Sequence, residues 1–179
     1  MSYSIEEHKH RFAAWAAGRA ANVNGCRFTV EQAKKVLEDA GLNIVAHSVM
    51  NLPDPKDFDC THEEWRERVI EASKSIGLNF THGVAAKLIN IYLKSIFVCS
   101  NEHNSAKVKA IHPPIDSVLL DALYKQDISG KRKDWQAARK ARWSKLSSKQ
   151  YQAVINAIKE ALPSKSGLWE IEEFWQGYQ

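Results

Sequence analysis

Apolar residues recur at intervals of three and four over residues 4–23, with Phe12, Trp15, Ala16 and the Arg19-Ala20 step in register, which predicts an amphipathic helix. Thr29 with Gln32 three positions on reads as a capping box opening a second helix, with Val36 and Leu37 buried and Gly41 closing it. Residues 42–60 turn to Asn, Pro and Asp, and Pro53 and Pro55 remove backbone donors, so a long connection or a short strand is expected. Thr61 with Glu64 reads as the cap of a helix carrying Trp65, Val69, Ala72 and Ile76 and ending at Gly77. Thr81 caps the next helix, whose Val84, Leu88, Ile91 and Phe97 stripe is widened by Ile89, Leu93 and Ile96 until it is nearly apolar all round, as suits a central helix. After a polar stretch over residues 100–109 and the His112-Pro113-Pro114 block, Asp116 caps residues 117–126. Gly130 separates these from a basic segment in which Trp135, Ala138 and Trp143 recur at helical intervals. Ser147 with Gln150 caps a helix of Tyr151, Val154, Ile155, Ile158 and Leu162 that Pro163 stops, and Ser166 or Gly167 opens a short last one. No alternating strand pattern or internal repeat appears, so an all-α domain of about eight helices is expected, as one unit with residues 1–60 leading into a helical core over 61–179.

Composition narrows the class. With 179 residues, 44% hydrophobic and 26% charged, the chain is long enough to bury roughly 70% of its unfolded surface without staples. Its longest apolar run, residues 88–99, is broken by Asn90 and Lys94, and the start of the chain lacks the apolar centre of a signal peptide, so neither membrane nor export is expected and the cytoplasm is the default. Cys26, Cys60 and Cys99 are too scattered for a disulfide framework, and the seven histidines lack zinc-site spacing. There is no phosphate loop and no nucleophile elbow, and no metal or cofactor is expected.

Charge adds a candidate partner. The net charge is only +4, but residues 131–149 carry eight Lys or Arg against Asp134 alone, leaving a net negative remainder. Lys131, Arg132, Lys133, Arg139, Lys140, Arg142 and Lys145 thus make one basic face for nucleic acid, or a plainly solvated helix.

The segment Phe80-Thr81-His82-Gly83-Val84-Ala85-Ala86-Lys87 between two helices resembles a helix-hairpin-helix, and Pro114-Ile115-Asp116 with Ser166-Gly167-Leu168-Trp169 and Phe174 extends the similarity to the helix-hairpin-helix DNA glycosylases of the 8-oxoguanine branch. The resemblance spans residues 65–174 and implies that fold, with Gly83 and Val84 offering amides to a DNA phosphate, Lys87 as nucleophile, Asp116 as its carboxylate partner and Phe174 as a base-stacking wall. Ala85 stands where the motif has its second glycine, and Val118 where that branch has histidine.

The residues themselves carry a rationale beside it. Desolvation on an apolar helix lowers an amine's pKa and frees its lone pair, and a helix-capping aspartate stays ionised to meet developing positive charge. Glu170, one turn before Phe174, and His112, held by two prolines, are further candidates for a base pocket. Alternatives stand next to each assignment: Asp116 as a cap only, Lys87 as a surface lysine, Phe174 and Trp175 as core anchors, Lys94 as a competing amine. The expectation is a DNA-binding helical protein with glycosylase chemistry at Lys87 and Asp116. The alternative is a non-enzymatic module that binds nucleic acid or docks to a protein.

Overall fold

The computed structural model describes residues 3–178, and among these no strand is formed. The helices are α1 (Ile5–Ala21), α2 (Val30–Asp39), the single turn α3 (Leu42–Val45), α4 (Phe58–Ser75), α5 (His82–Leu93), the single turn α6 (Ala106–Lys109), α7 (Ser117–Lys125), α8 (Arg132–Ala141) and α9 (Ser148–Ala161). A π-helical extension, Lys94–Val98, continues α5, and the last turn, Leu168–Phe174, is a 3-10 helix. The expected all-helical class is therefore observed.

Local chemistry explains most boundaries. Thr29 accepts from the Gln32 amide while Gln32 reaches back to the Thr29 amide, and Ser147 and Gln150 repeat the exchange at α9. Gly41 and Gly77 hold φ of 79° and 76°, left-handed values that end a helix with little strain only for glycine. One boundary and one buried face depart from expectation. α4 begins at Phe58, three residues ahead of Thr61, because a 3-10 turn at Pro55–Asp57 runs straight into it and buries Phe58 in the core. And α1 turns its small residues inward: Ala13, Ala14, Ala17 and Ala21 are fully buried, while Phe12 and Trp15 are 58% and 51% exposed. The close approach rewards the small residues, since a Cβ on Gly18 would come within 2.9 Å of the Ala33 Cβ on α2.

Two hydrophobic clusters fill the interior. The first gathers α1, α2, α4 and most of α5; the second gathers α7, α8, α9 and the last turn, with Trp135, Tyr151 and Ile155 at its centre. α5 joins them, buried on nearly every side, with Val84 and Leu88 in the first cluster and Ala86 in the second. Of the three non-glycine residues with positive φ among those described, Arg142, which ends α8, has φ 65° and ψ 126°, a conformation rare for a side chain of its size.

Candidate functional site

Lys87 lies one turn into α5, on the side facing the second cluster, and Asp116 stands at the N-cap of α7. Their separation along the chain vanishes in space: Lys87 Nζ donates to Asp116 Oδ2 at 3.3 Å. Asp116 divides its oxygens between duties, with Oδ1 accepting the Leu119 amide at 2.9 Å and Oδ2 also accepting the Trp175 indole N–H at 3.1 Å. On its other side the amine lies 4.4 Å from the centre of the Trp143 ring, so a carboxylate and a π face share it. Lys87 is only 8% exposed. That burial pulls the pKa of the amine below the ordinary lysine value, while Asp116 opposes the shift.

A second pair flanks the first. Lys94, one heptad further along α5, is bonded to Glu172 and lies 5.9 Å from the Trp175 ring. Burial raises the Glu172 pKa against the pull of Lys94, and Asp116 nearby adds to the rise. Lys94, the competing amine of the sequence reading, is thus already engaged by a carboxylate.

Three expected members of a base pocket are placed elsewhere. Trp175, not Phe174, meets Asp116; Phe174 is half-buried against the second cluster. Glu170 turns back to its own segment, its Oε1 accepting the Gly167 amide at 2.7 Å as a helix cap. His112 is interior, with Nε2 3.0 Å from Asp59 Oδ1 and Nδ1 3.0 Å from the Tyr151 hydroxyl.

His112 belongs to a buried chain that sequence reasoning did not foresee. Arg66 can only donate, so His62 Nδ1 accepts its Nη1–H at 2.6 Å and His62 Nε2–H must donate to Asn90 Oδ1 at 2.7 Å. Asn90 then donates through Nδ2 to Pro113 O and to Tyr151 Oη, both at 2.9 Å. Tyr151 in turn donates to His112 Nδ1 and His112 to Asp59, whose charge Lys159 also meets at 2.6 Å. Asn90 thereby ties the Pro113 carbonyl, three residues before Asp116, to the helix that carries Lys87. Burial forces the His112 pKa down to about 4 and that of His62 well below its ordinary value, so both rings are neutral near pH 7.

The hairpin amides have internal partners. Gly83 N–H donates to Leu146 O at 3.2 Å, the Val84 amide donates to the capping Thr81 Oγ1 at 3.1 Å, and that hydroxyl donates to Ser144 O at 2.7 Å. Both Gly83 and Val84 are buried, and a Cβ on Gly83 would lie 1.8 Å from Trp143 O. Residues 143–146 therefore occupy the ground that was expected to receive a phosphate; the missing room at Gly83 is filled by the protein's own backbone.

The basic segment divides. Lys131 pairs with Glu160, Arg132 lies 3.7 Å from Asp127, and Arg139 meets Asp121 at 2.5 Å while lying 4.4 Å from the Tyr124 ring centre. Lys133, Lys140, Arg142 and Lys145 are exposed, with no carboxylate partner among the described residues. Arg139, Arg142 and Lys145 line a hollow of about 430 Å³ together with Trp143 and Ser117. Trp135, by contrast, is fully buried, its N–H held by Ile128 O at 3.1 Å.

Among the described residues no group of three His, Cys, Asp or Glu side chains is arranged to hold a metal ion, and no helix is long and apolar enough to cross a membrane. Comparison with known proteins gives no match to a family model, a curated protein or a solved structure.

Proposed function

We propose that the protein is a DNA-binding helical protein of helix-hairpin-helix glycosylase-like fold, its hairpin amides taken up internally, that excises a base with Lys87 as nucleophile and Asp116 as its partner. The observation that carries this reading is the pair itself: an amine withdrawn from water, 3.3 Å from a helix-capping carboxylate and flanked by the indoles of Trp143 and Trp175. Burial supplies a larger share of neutral amine than water would, and only the neutral form is nucleophilic.

The chemistry follows from those groups. The Nζ lone pair attacks the sugar C1′, the bond from C1′ to the base nitrogen breaks, and the departing base leaves with the bonding pair and takes one proton from the amine. The C1′–O4′ bond then opens, O4′ takes a proton from solvent, and an iminium cation remains on Lys87. Asp116 faces that developing charge, in a site where burial strengthens the attraction. A base so treated has first to leave the stack.

Borohydride reduction tests this. Duplexes carrying an abasic site or a panel of damaged bases should yield a covalent adduct that Lys87→Ala removes. Asp116→Asn, which keeps an oxygen for the α7 cap, should slow adduct formation on the order of 100-fold. A wild-type protein that binds every duplex and traps none overturns the chemistry.

That outcome would favour a second reading, a nucleic-acid-binding module without a reaction. Its support is also specific: the Gly83 amide is donated to Leu146 O, and Lys87 has little open surface.

A further inference from the structure

We propose that the hollow beside Trp143 is a nucleotide seat, with one phosphodiester held between Arg142 and Lys145 and the adjoining base or sugar resting on Val23, Leu120 and the Trp143 indole. The inference deepens the nucleic-acid reading of the Lys87 site and rests on it, but it concerns a separate surface and a separate measurement.

Its volume of about 430 Å³ lies within the range of small-ligand sites. The walls carry two kinds of chemistry. Val23, Leu120 and Trp143 are apolar, and Arg139, Arg142 and Lys145 are cationic. Asp121 already neutralises Arg139 at 2.5 Å, which leaves Arg142 and Lys145 as the cations with nothing to meet among the described residues. A ligand that satisfies both walls has a flat or apolar body next to an anionic group, and a nucleotide within a strand has that form. The hollow between Phe58 and Leu168 is also lined with lysines, but there Lys159 closes on Asp59 at 2.6 Å and Lys109 on the Lys165 carbonyl at 3.2 Å. Two of its three lysines are already engaged; beside Trp143 only Arg139 of the three cations is.

Position adds to composition. Trp143, which lines the hollow, carries the ring beneath the Lys87 amine, and Ser117, also in the lining, follows Asp116 directly. A nucleotide in the seat would be one indole away from the reacting pair, so the strand that supplies a base to Lys87 would be gripped beside it.

Fluorescence anisotropy with a labelled single strand and with a duplex bearing a tetrahydrofuran abasic analogue, titrated across salt, tests the seat. Arg142→Gln with Lys145→Gln should weaken binding about tenfold and lower the slope of log affinity against log salt by about one, the value for one lost phosphate contact. Lys56→Gln with Lys125→Gln removes the same charge from elsewhere on the surface and should leave both quantities unchanged. Trp143→Leu should weaken binding about fivefold or more at constant slope, since stacking releases no counterion. A thermal melt run beside it shows whether that variant is folded, and the charge pairs decide the matter if it is not.

Equal weakening by both double variants means a diffuse field and overturns the seat, as does no weakening by either. Polyglutamate that binds as tightly as the oligonucleotide, with the same dependence on Arg142 and Lys145, would make the surface a site for acidic peptides and also overturn it. The two proposals fail separately. Binding that needs Arg142 and Lys145 without any borohydride adduct keeps the seat and removes the chemistry; an adduct whose binding ignores those residues does the reverse.

Discussion

A lysine that has left water keeps its ammonium only as far as its neighbours compensate, and at Lys87 the compensation falls short of the loss. Burial draws the amine toward the neutral form while Asp116 and the Trp143 face hold it back, which is the balance a nucleophilic amine needs. The histidines in the interior pose the same question with the opposite consequence. His112, pushed down to about 4, binds fewer protons folded than unfolded, where a histidine titrates near ~6.5. Its neutral burial therefore stabilises the fold fully above about pH 6.5, and this contribution is lost as the pH falls toward 4. His62 acts in the same direction, and Asp59, depressed below its ordinary value, adds a further loss in stronger acid. Glu172, raised by burial, works against them. Denaturant unfolding should show stability falling by roughly 3 kcal/mol between pH 7.5 and 4.5, with the fall reduced in His112→Asn; a flat profile would contradict the neutral burial of these rings. None of this was readable from spacing, because Arg66, His62, Asn90, Tyr151, His112 and Asp59 come from four separate segments. The pairing of Lys87 with Asp116 was expected from the order of two motifs, whereas the approach of Trp175 to Asp116, and the placing of Phe174 against the second cluster instead of at a base-stacking wall, depend on how the last turn sits.

Elements whose ends are fixed by neighbours in sequence could be read directly. The boxes at Thr29 and Ser147 and the cap at Asp116 are closed between residues three apart, by reciprocal side chains in the boxes and by the Leu119 amide at Asp116, so the residues that decide them are visible in one window. The buried face of α1 was not visible in that way. Large apolar residues suggest an inward face, but a helix that packs closely buries its alanines and leaves Phe12 and Trp15 outside. The start of α5 gives the sharpest test at this scale. Gly83 is needed for approach and not for conformation, since Trp143 O occupies the space a side chain would take. Gly83→Ala should cost roughly 1–3 kcal/mol in thermal or denaturant unfolding through the forced displacement of residues 143–146. A neutral result would show that this segment yields easily, and with it the cover over Lys87.

At the scale of the molecule, α5 decides how the protein holds together. Most of its buried apolar residues belong to the first cluster and Ala86 to the second, so losing either cluster strips cover from the same helix. Calorimetry should accordingly find one unfolding transition, with calorimetric and van't Hoff enthalpies in agreement, whereas two resolved peaks would mean that the clusters melt apart. The charge distribution is also organised by packing. Acidic partners from α7, the turn after it and α9 take up Lys131, Arg132 and Arg139, so a run that reads as uniformly basic in sequence leaves only part of its charge free for a partner.

Within that free part, Arg142 carries an unusual backbone, with positive φ. Had this residue taken ordinary helical angles, α8 would have run on and carried Trp143 around with the next turn; with φ 65° and ψ 126° the helix stops there, and the chain brings that indole beneath an amine from another helix. The two backbone angles of one residue thus decide whether the amine has an aromatic floor at all.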